Sequence, residues 1–310
     1  MKNKIKLYVL TGFLGAGKTS FLLHALDAME GKKVGVIQNE FGKLSIDGDI
    51  LKSGEIEMRE LTRGSIFCSC LKLNFVQALA EMSEMGLDCL FVESSGLADP
   101  SNLFEILEAL AVLKPERPYE LAGTVCLVDA VGFLRDAAEL ETVVRQVVHC
   151  NIALINKCDL ADAGCTEEIK NQIRQWNEHC LILTTTDGVM DVRLLEQDLS
   201  GYAWAPGEDT TNTADTKPKT FSVSFGAVPR EKMTAFLAAL APHCYRVKGF
   251  GVLDGAWQQI DVAAGRIDCK PCDDKGSGRL VFISKIGIQL IREIKERWDE
   301  IVSLPVELHN

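Results

Sequence analysis

Residues Gly12-Phe13-Leu14-Gly15-Ala16-Gly17-Lys18-Thr19 fit the pattern GxxxxGK[ST] at every fixed position. They lie between an apolar run, Ile5-Lys6-Leu7-Tyr8-Val9-Leu10, and a helical pattern beginning Ser20-Phe21-Leu22-Leu23. A strand entering a glycine-rich turn and leaving it as a helix is the setting that this motif, the P-loop, requires. Glycines let the backbone curl until successive N–H groups converge on phosphate oxygens, and the helix amino end adds its positive dipole. Gly12, Gly15, Ala16, Gly17 and Ser20 are therefore expected to line a phosphate cradle. Lys18 is expected to reach the β/γ-phosphates, and the Thr19 hydroxyl to ligate Mg²⁺.

The surrounding chain agrees with that start. Apolar runs at 7–10, 34–38, 89–92, 124–128, 152–155 and 180–184 alternate with helical patterns such as 74–85, 102–110 and 166–176. Continuous apolar strands between helices predict an α/β fold, a mostly parallel sheet with helices on both faces. Ligands of such sheets sit beyond the carboxyl ends of the strands, where the P-loop emerges. Residues 201–219 are rich in Pro, Gly, Thr, Asn and Asp and read as a linker between a 1–200 domain and a 220–310 domain. The second domain has the order β-α-β-β-β-α, a smaller α+β unit, with a loop expected at 268–278.

Asn156-Lys157-Cys158-Asp159 follows the strand at 152–155. This NKxD spacing suits guanine, because Asp159 can accept from both N1–H and the exocyclic amine, donors that adenine lacks in that arrangement. Asn156 would support the loop or the O6/N7 edge, and the Lys157 stem would lie against the ring. Glu93-Ser94-Ser95-Gly96 ends the strand at 89–92, where a carboxylate beside a P-loop holds Mg²⁺ or the attacking water. Gly96 can bring its amide close to the γ-phosphate. Asp99 either serves the metal or caps the next helix. Gln38-Asn39-Glu40-Phe41-Gly42 also faces the nucleotide; Glu40 and Asp47 are switch residues or solvated loop acids. Lys18, Glu93 and Glu40 are the candidate catalytic residues.

Composition excludes several alternatives. A formal net charge of −11 over 310 residues argues against a nucleic-acid surface, so phosphate recognition is local. No run reaches the roughly 18–20 apolar residues of a membrane span. The amino terminus enters the first strand directly, which leaves no room for a signal peptide and predicts a cytoplasmic protein. Eleven cysteines then read as buried small hydrophobes, metal ligands or redox thiols.

Together these segments resemble the CobW-type GTPases, relatives of the HypB and UreG nickel accessory GTPases. The 11–19 loop, Asn39-Glu40-Phe41-Gly42, Ile46-Asp47-Gly48, the 93–100 segment ending Leu97-Ala98-Asp99-Pro100 and Asn156-Lys157-Cys158-Asp159 stand in the family's order. Arg246-Val247-Lys248-Gly249 and Gln258-Gln259 are similar to its C-terminal domain. The resemblance implies Mg²⁺-dependent, slow GTP hydrolysis coupled to delivering Zn²⁺, Co²⁺ or Ni²⁺, or to servicing a metallocofactor such as a corrinoid on a client protein; it also allows a homodimer.

The family carries Cys-x-Cys-Cys after a glycine. Here Gly64 is followed by Ser65-Ile66-Phe67-Cys68-Ser69-Cys70, so only Cys68 keeps a family place and Cys70 is an addition. Cys68 and Cys70 are candidate transition-metal ligands, too few alone for a three- or four-ligand site, or two buried thiols. Glu40, a partner group, or Cys269 and Cys272 could complete a set. Cys269-Lys270-Pro271-Cys272 is itself either a metal half-site or a pair of loop cysteines. Two other functions remain open: a nucleotide-gated interaction module, and a small-molecule kinase, which NKxD disfavours.

Overall fold

A computed structural model describes residues 4–38, 56–60, 72–202, 205, 218–263 and 265–309. The chain divides into two compact units, residues 1–216 and 217–310.

The first unit runs β1 (Ile5–Gly12), α1 (Lys18–Asp27), β2 (Val34–Gln38), β3 (Ile56–Glu60), α2 (Lys72–Met82), β4 (Cys89–Glu93), α3 (Leu103–Leu113), β5 (Tyr119–Asp129), α4 (Phe133–Glu139), α5 (Glu141–Val148), β6 (Ile152–Asn156), α6 (Ala163–Trp176), β7 (Leu181–Thr184) and α7 (Arg193–Glu196). Its strands form one seven-stranded sheet in the order β3-β2-β4-β1-β5-β6-β7. Every pairing is parallel. The expected mostly parallel α/β sheet is what forms.

Side-chain alternation explains why β1 is apolar from Leu7 to Leu10. Leu7 and Val9 pack with Phe75, Leu79, Leu103 and Ile106 of α2 and α3. Tyr8 and Leu10 point the other way, onto Phe21, Leu22 and Leu26 of α1. A strand covered on both faces has no polar side to spare. Cys89, Cys126, Cys150 and Cys180 are buried thiols of this unit, in line with their reading as core residues. Burial pushes the Cys89 thiol up to about 11.

The second unit runs β8 (Thr220–Phe225), α8 (Arg230–Leu240), β9 (Cys244–Leu253), β10 (Ala256–Ala263), β11 (Arg266–Pro271), β12 (Gly278–Ser284), α9 (Leu290–Arg297) and β13 (Val306–His309). These strands form a six-stranded antiparallel sheet, β11-β10-β9-β12-β8-β13. Trp298, just past α9, is fully buried against Phe225 and Phe236, with ring centroids 5.3 and 4.9 Å away. Its indole N–H donates to the Leu304 carbonyl at 2.8 Å. Trp298→Ala is expected to destabilise this unit by about 3–5 kcal/mol, read as a lower midpoint of denaturant unfolding.

Two strands exceed the expected order, and one corrects it. The loop expected from 268 is strand β11 up to Pro271, with Cys269 opposite Ile260. Cys269 packs against the core of this unit. Cys269 lies on β11, and Cys272 lies one residue past its end, where its amide donates to the Trp257 carbonyl at 3.2 Å. Desolvation raises both thiols. Among the described residues no cluster of three metal-ligating side chains occurs, and no helix is long and apolar enough to cross a membrane.

Candidate nucleotide-binding site

Strand register brings the chemistry to one edge. Glu93 ends β4 beside Leu10 of β1 and Gln38 of β2, while Asp129 of β5 pairs with Asn156 of β6. The turn carrying Gly12, Gly15, Ala16 and Gly17 leaves β1 in the middle of the sheet, and Lys18, Thr19 and Ser20 open α1. No side chain caps α1 at Gly17 and its first turn holds no acid. A helix amino end of this kind suits an external anion. The Lys18 ammonium donates to the carbonyls of Gly12 at 2.7 Å and Phe13 at 3.1 Å, so it lies across the loop it is expected to serve.

The expected Mg²⁺ ligands are neighbours. The Thr19 hydroxyl donates to Glu93 Oε1 at 2.8 Å, and Gln38 Nε2 donates to Glu93 Oε2 at 2.9 Å. Glu93 and Gln38 are buried. Among the described residues Gln38 Oε1 is a buried acceptor without a hydrogen-bond partner, and so are the buried hydroxyls of Ser94 and Ser95, which follow Glu93 in the chain. A buried carboxylate with hydroxyl and amide oxygens is a hard donor set of the kind Mg²⁺ takes, and the residues present fit the ion.

Gly96 does something sequence reading did not foresee: a methyl group there would lie 2.6 Å from the Leu14 amide nitrogen. The turn after β4 thus rests directly on the P-loop. Gly96→Ala is expected to cost about 1–3 kcal/mol through this overlap and to weaken nucleotide binding, measured by unfolding and by titration of a fluorescent nucleotide. Asp99 caps the helical turn that follows, accepting from the Ser101 amide at 3.0 Å, and also from Arg145 Nε at 2.8 Å. Gln146, beside Arg145 on α5, donates to the carbonyls of Gly96 and Ala98 at 3.1 and 2.9 Å.

Asn156 joins the NKxD loop to the P-loop. Its Nδ2 donates to the Ala16 carbonyl at 2.9 Å, and its Oδ1 accepts from the Gly188 amide at 2.9 Å. Gly17, at φ +100°, leaves the space this requires, since a side chain there would overlap the Asn156 amide. Lys157 pairs with Asp129 at 2.6 Å, and Asp159 is exposed at the edge. Asp129, Arg145, Gln146 and Gly188 are site residues that sequence reading missed, and Gln38, expected to face the nucleotide, is found bonded to Glu93. Glu40, Asp47, Cys68 and Cys70 lie outside the described residues.

A phosphate loop at the centre of a parallel sheet, with a hydroxyl–carboxylate pair and an NKxD loop on the same edge, defines a P-loop nucleotide-binding protein. The chain belongs to the CobW/HypB/UreG family, whose nucleotide-binding domain it matches over residues 6–184. It is similar to the zinc chaperone YjiA of Escherichia coli, 33% identical over 200 residues that are 62% of this chain and 61% of that protein. It is also similar to zinc-regulated GTPase metalloprotein activator 1 of Schizosaccharomyces pombe, 31% identical over 224 residues, 68% of this chain and 52% of that protein. The chain therefore matches about half to three-fifths of the length of these relatives. The crystal structure of Zn(II)-bound YjiA GTPase from E. coli shares the fold, at 23% identity and TM-score 0.50, covering 96% of this chain and 99% of that one.

Proposed function

We propose that this chain is a Mg²⁺-dependent GTPase whose nucleotide state governs the handling of a transition metal or metallocofactor. The observation that carries the reading is Asn156, which holds the P-loop at Ala16 from within the NKxD loop, so base and phosphate recognition form one unit. The α1 amides and Lys18 bind the phosphates. Asp159 accepts from the guanine N1–H and amine. Thr19 and Glu93 would hold Mg²⁺, with Gln38 orienting the Glu93 carboxylate. When bound, the ion neutralises charge on the β- and γ-phosphate oxygens. Lys18, Glu93 and Glu40 are the residues assigned to hydrolysis.

The zinc-chaperone and metalloprotein-activator names of the relatives support a metal output, which this reading assigns to a Zn²⁺, Co²⁺ or Ni²⁺ site at Cys68 and Cys70. GTP would order that loop together with residues 39–47, and hydrolysis would release it. A cytoplasmic client metalloprotein or corrinoid protein, or a second copy of the chain, would receive the change; residues 1–200 would form the GTPase domain and 220–310 the accessory one. Ser65 and Phe67, where the family has cysteines, favour a second reading, a nucleotide-gated interaction module that binds no free metal. Zn²⁺ competition against a chromophoric chelator, in GDP and in a non-hydrolysable GTP analogue, tests the choice. Metal handling requires nucleotide-dependent binding that Cys68→Ala/Cys70→Ala removes. Identical binding by variant and wild type, with partner capture that follows the nucleotide, supports the second reading.

A further inference from the structure

One ion pair at the carboxyl edge joins Lys157 of the NKxD loop to Asp129, a residue with no role in the chemistry above. Asp129 ends β5 with its side chain buried, and both of its oxygens are engaged: Oδ1 accepts from the Val131 amide at 2.9 Å and Oδ2 from the Lys157 ammonium at 2.6 Å. The Ala130 amide donates to the Asn156 carbonyl at 2.9 Å, so the residues flanking the pair are tied together as well. Lys157 has φ +63°, a left-handed conformation that non-glycine residues adopt only when their surroundings hold them there. The Lys157 side chain is 28% exposed and that of Asp129 10%, so solvent screens this pair less than an open surface pair.

We propose that Asp129 is the positioning residue of the base site: by anchoring the Lys157 ammonium it fixes the lysine stem beside a bound guanine and sets part of the affinity for guanine nucleotides. This rests on the guanine reading above. A tethered ammonium leaves the methylene stem stretched along the loop two residues before Asp159. The stem then offers the purine an apolar surface, and Asp129 neutralises the charge at its far end. Released from Asp129, the lysine would sample many rotamers, and binding would have to order it again.

The test titrates GDP, ADP and inorganic tripolyphosphate, all with Mg²⁺, into wild type, Asp129→Asn, Lys157→Met and the double variant. Asparagine keeps the acceptor for the Val131 amide and removes the ion pair. Each single variant should bind GDP about tenfold more weakly, the double variant should be no weaker than the singles, and tripolyphosphate, which lacks a base, should bind all four alike. The inference is overturned if Asp129→Asn stays within twofold of wild type for GDP, if the two losses multiply, or if tripolyphosphate affinity falls along with GDP. A wild type that does not prefer GDP to ADP sinks the guanine reading itself, a result distinct from all of these.

Discussion

Asp159→Asn is expected to weaken GTP binding by about a thousandfold, roughly 4 kcal/mol, and to improve binding of xanthosine triphosphate. The exposed Asp159 carboxylate can only accept hydrogen bonds, and guanine offers it N1–H and the exocyclic amine. An asparagine amide turns one acceptor into a donor, which then faces the guanine amine, so one hydrogen bond is lost and two donors are opposed. Xanthine carries a carbonyl where guanine carries the amine, and it matches the asparagine. Competition of GTP and xanthosine triphosphate for a fluorescent GDP analogue measures both changes. Equal affinity of the variant and wild type for GTP would remove Asp159 from the base site.

Lys18→Ala should lower GTP turnover by about a thousandfold, with weaker binding of the triphosphate than of the bare nucleoside as its signature. The ammonium already spans the Gly12 and Phe13 carbonyls, so its loss would remove the charge proposed to meet the γ-phosphate and also the internal tie between them. Single-turnover hydrolysis and equilibrium titration separate the two effects. Lys18→Arg should not rescue turnover, because a planar guanidinium does not fit where a compact ammonium sits between two carbonyls.

Three strands escaped the sequence reading: β3, β11 and β13. Each lies at the edge of its sheet. Their sequences, Ile56-Glu57-Met58-Arg59-Glu60, Arg266-Ile267-Asp268-Cys269-Lys270-Pro271 and Val306-Glu307-Leu308-His309, interleave charged or imidazole side chains with apolar ones. Edge strands carry such residues because an unpaired ladder would otherwise recruit another chain, and this blunts the apolar signal by which strands are read. Central strands such as β1 and β4, buried on both faces, were plain. The site divides in a similar way. Residues inside a contiguous motif, from Gly12 to Thr19 and from Asn156 to Asp159, were legible because their spacing is their chemistry. Arg145 and the role of Gln38 toward Glu93 were not, since each depends on a partner brought near only by folding: Glu93, 55 residues from Gln38, and Asp99, 46 residues from Arg145.

Guanine-specific nucleotide binding should follow from a P-loop that the NKxD loop holds in place. Calorimetric titration of the full chain with GDP and ADP, in the presence of Mg²⁺, tests it most directly. GDP should bind at least about a hundredfold more tightly than ADP; equal affinities for the two nucleotides would contradict guanine recognition by this loop.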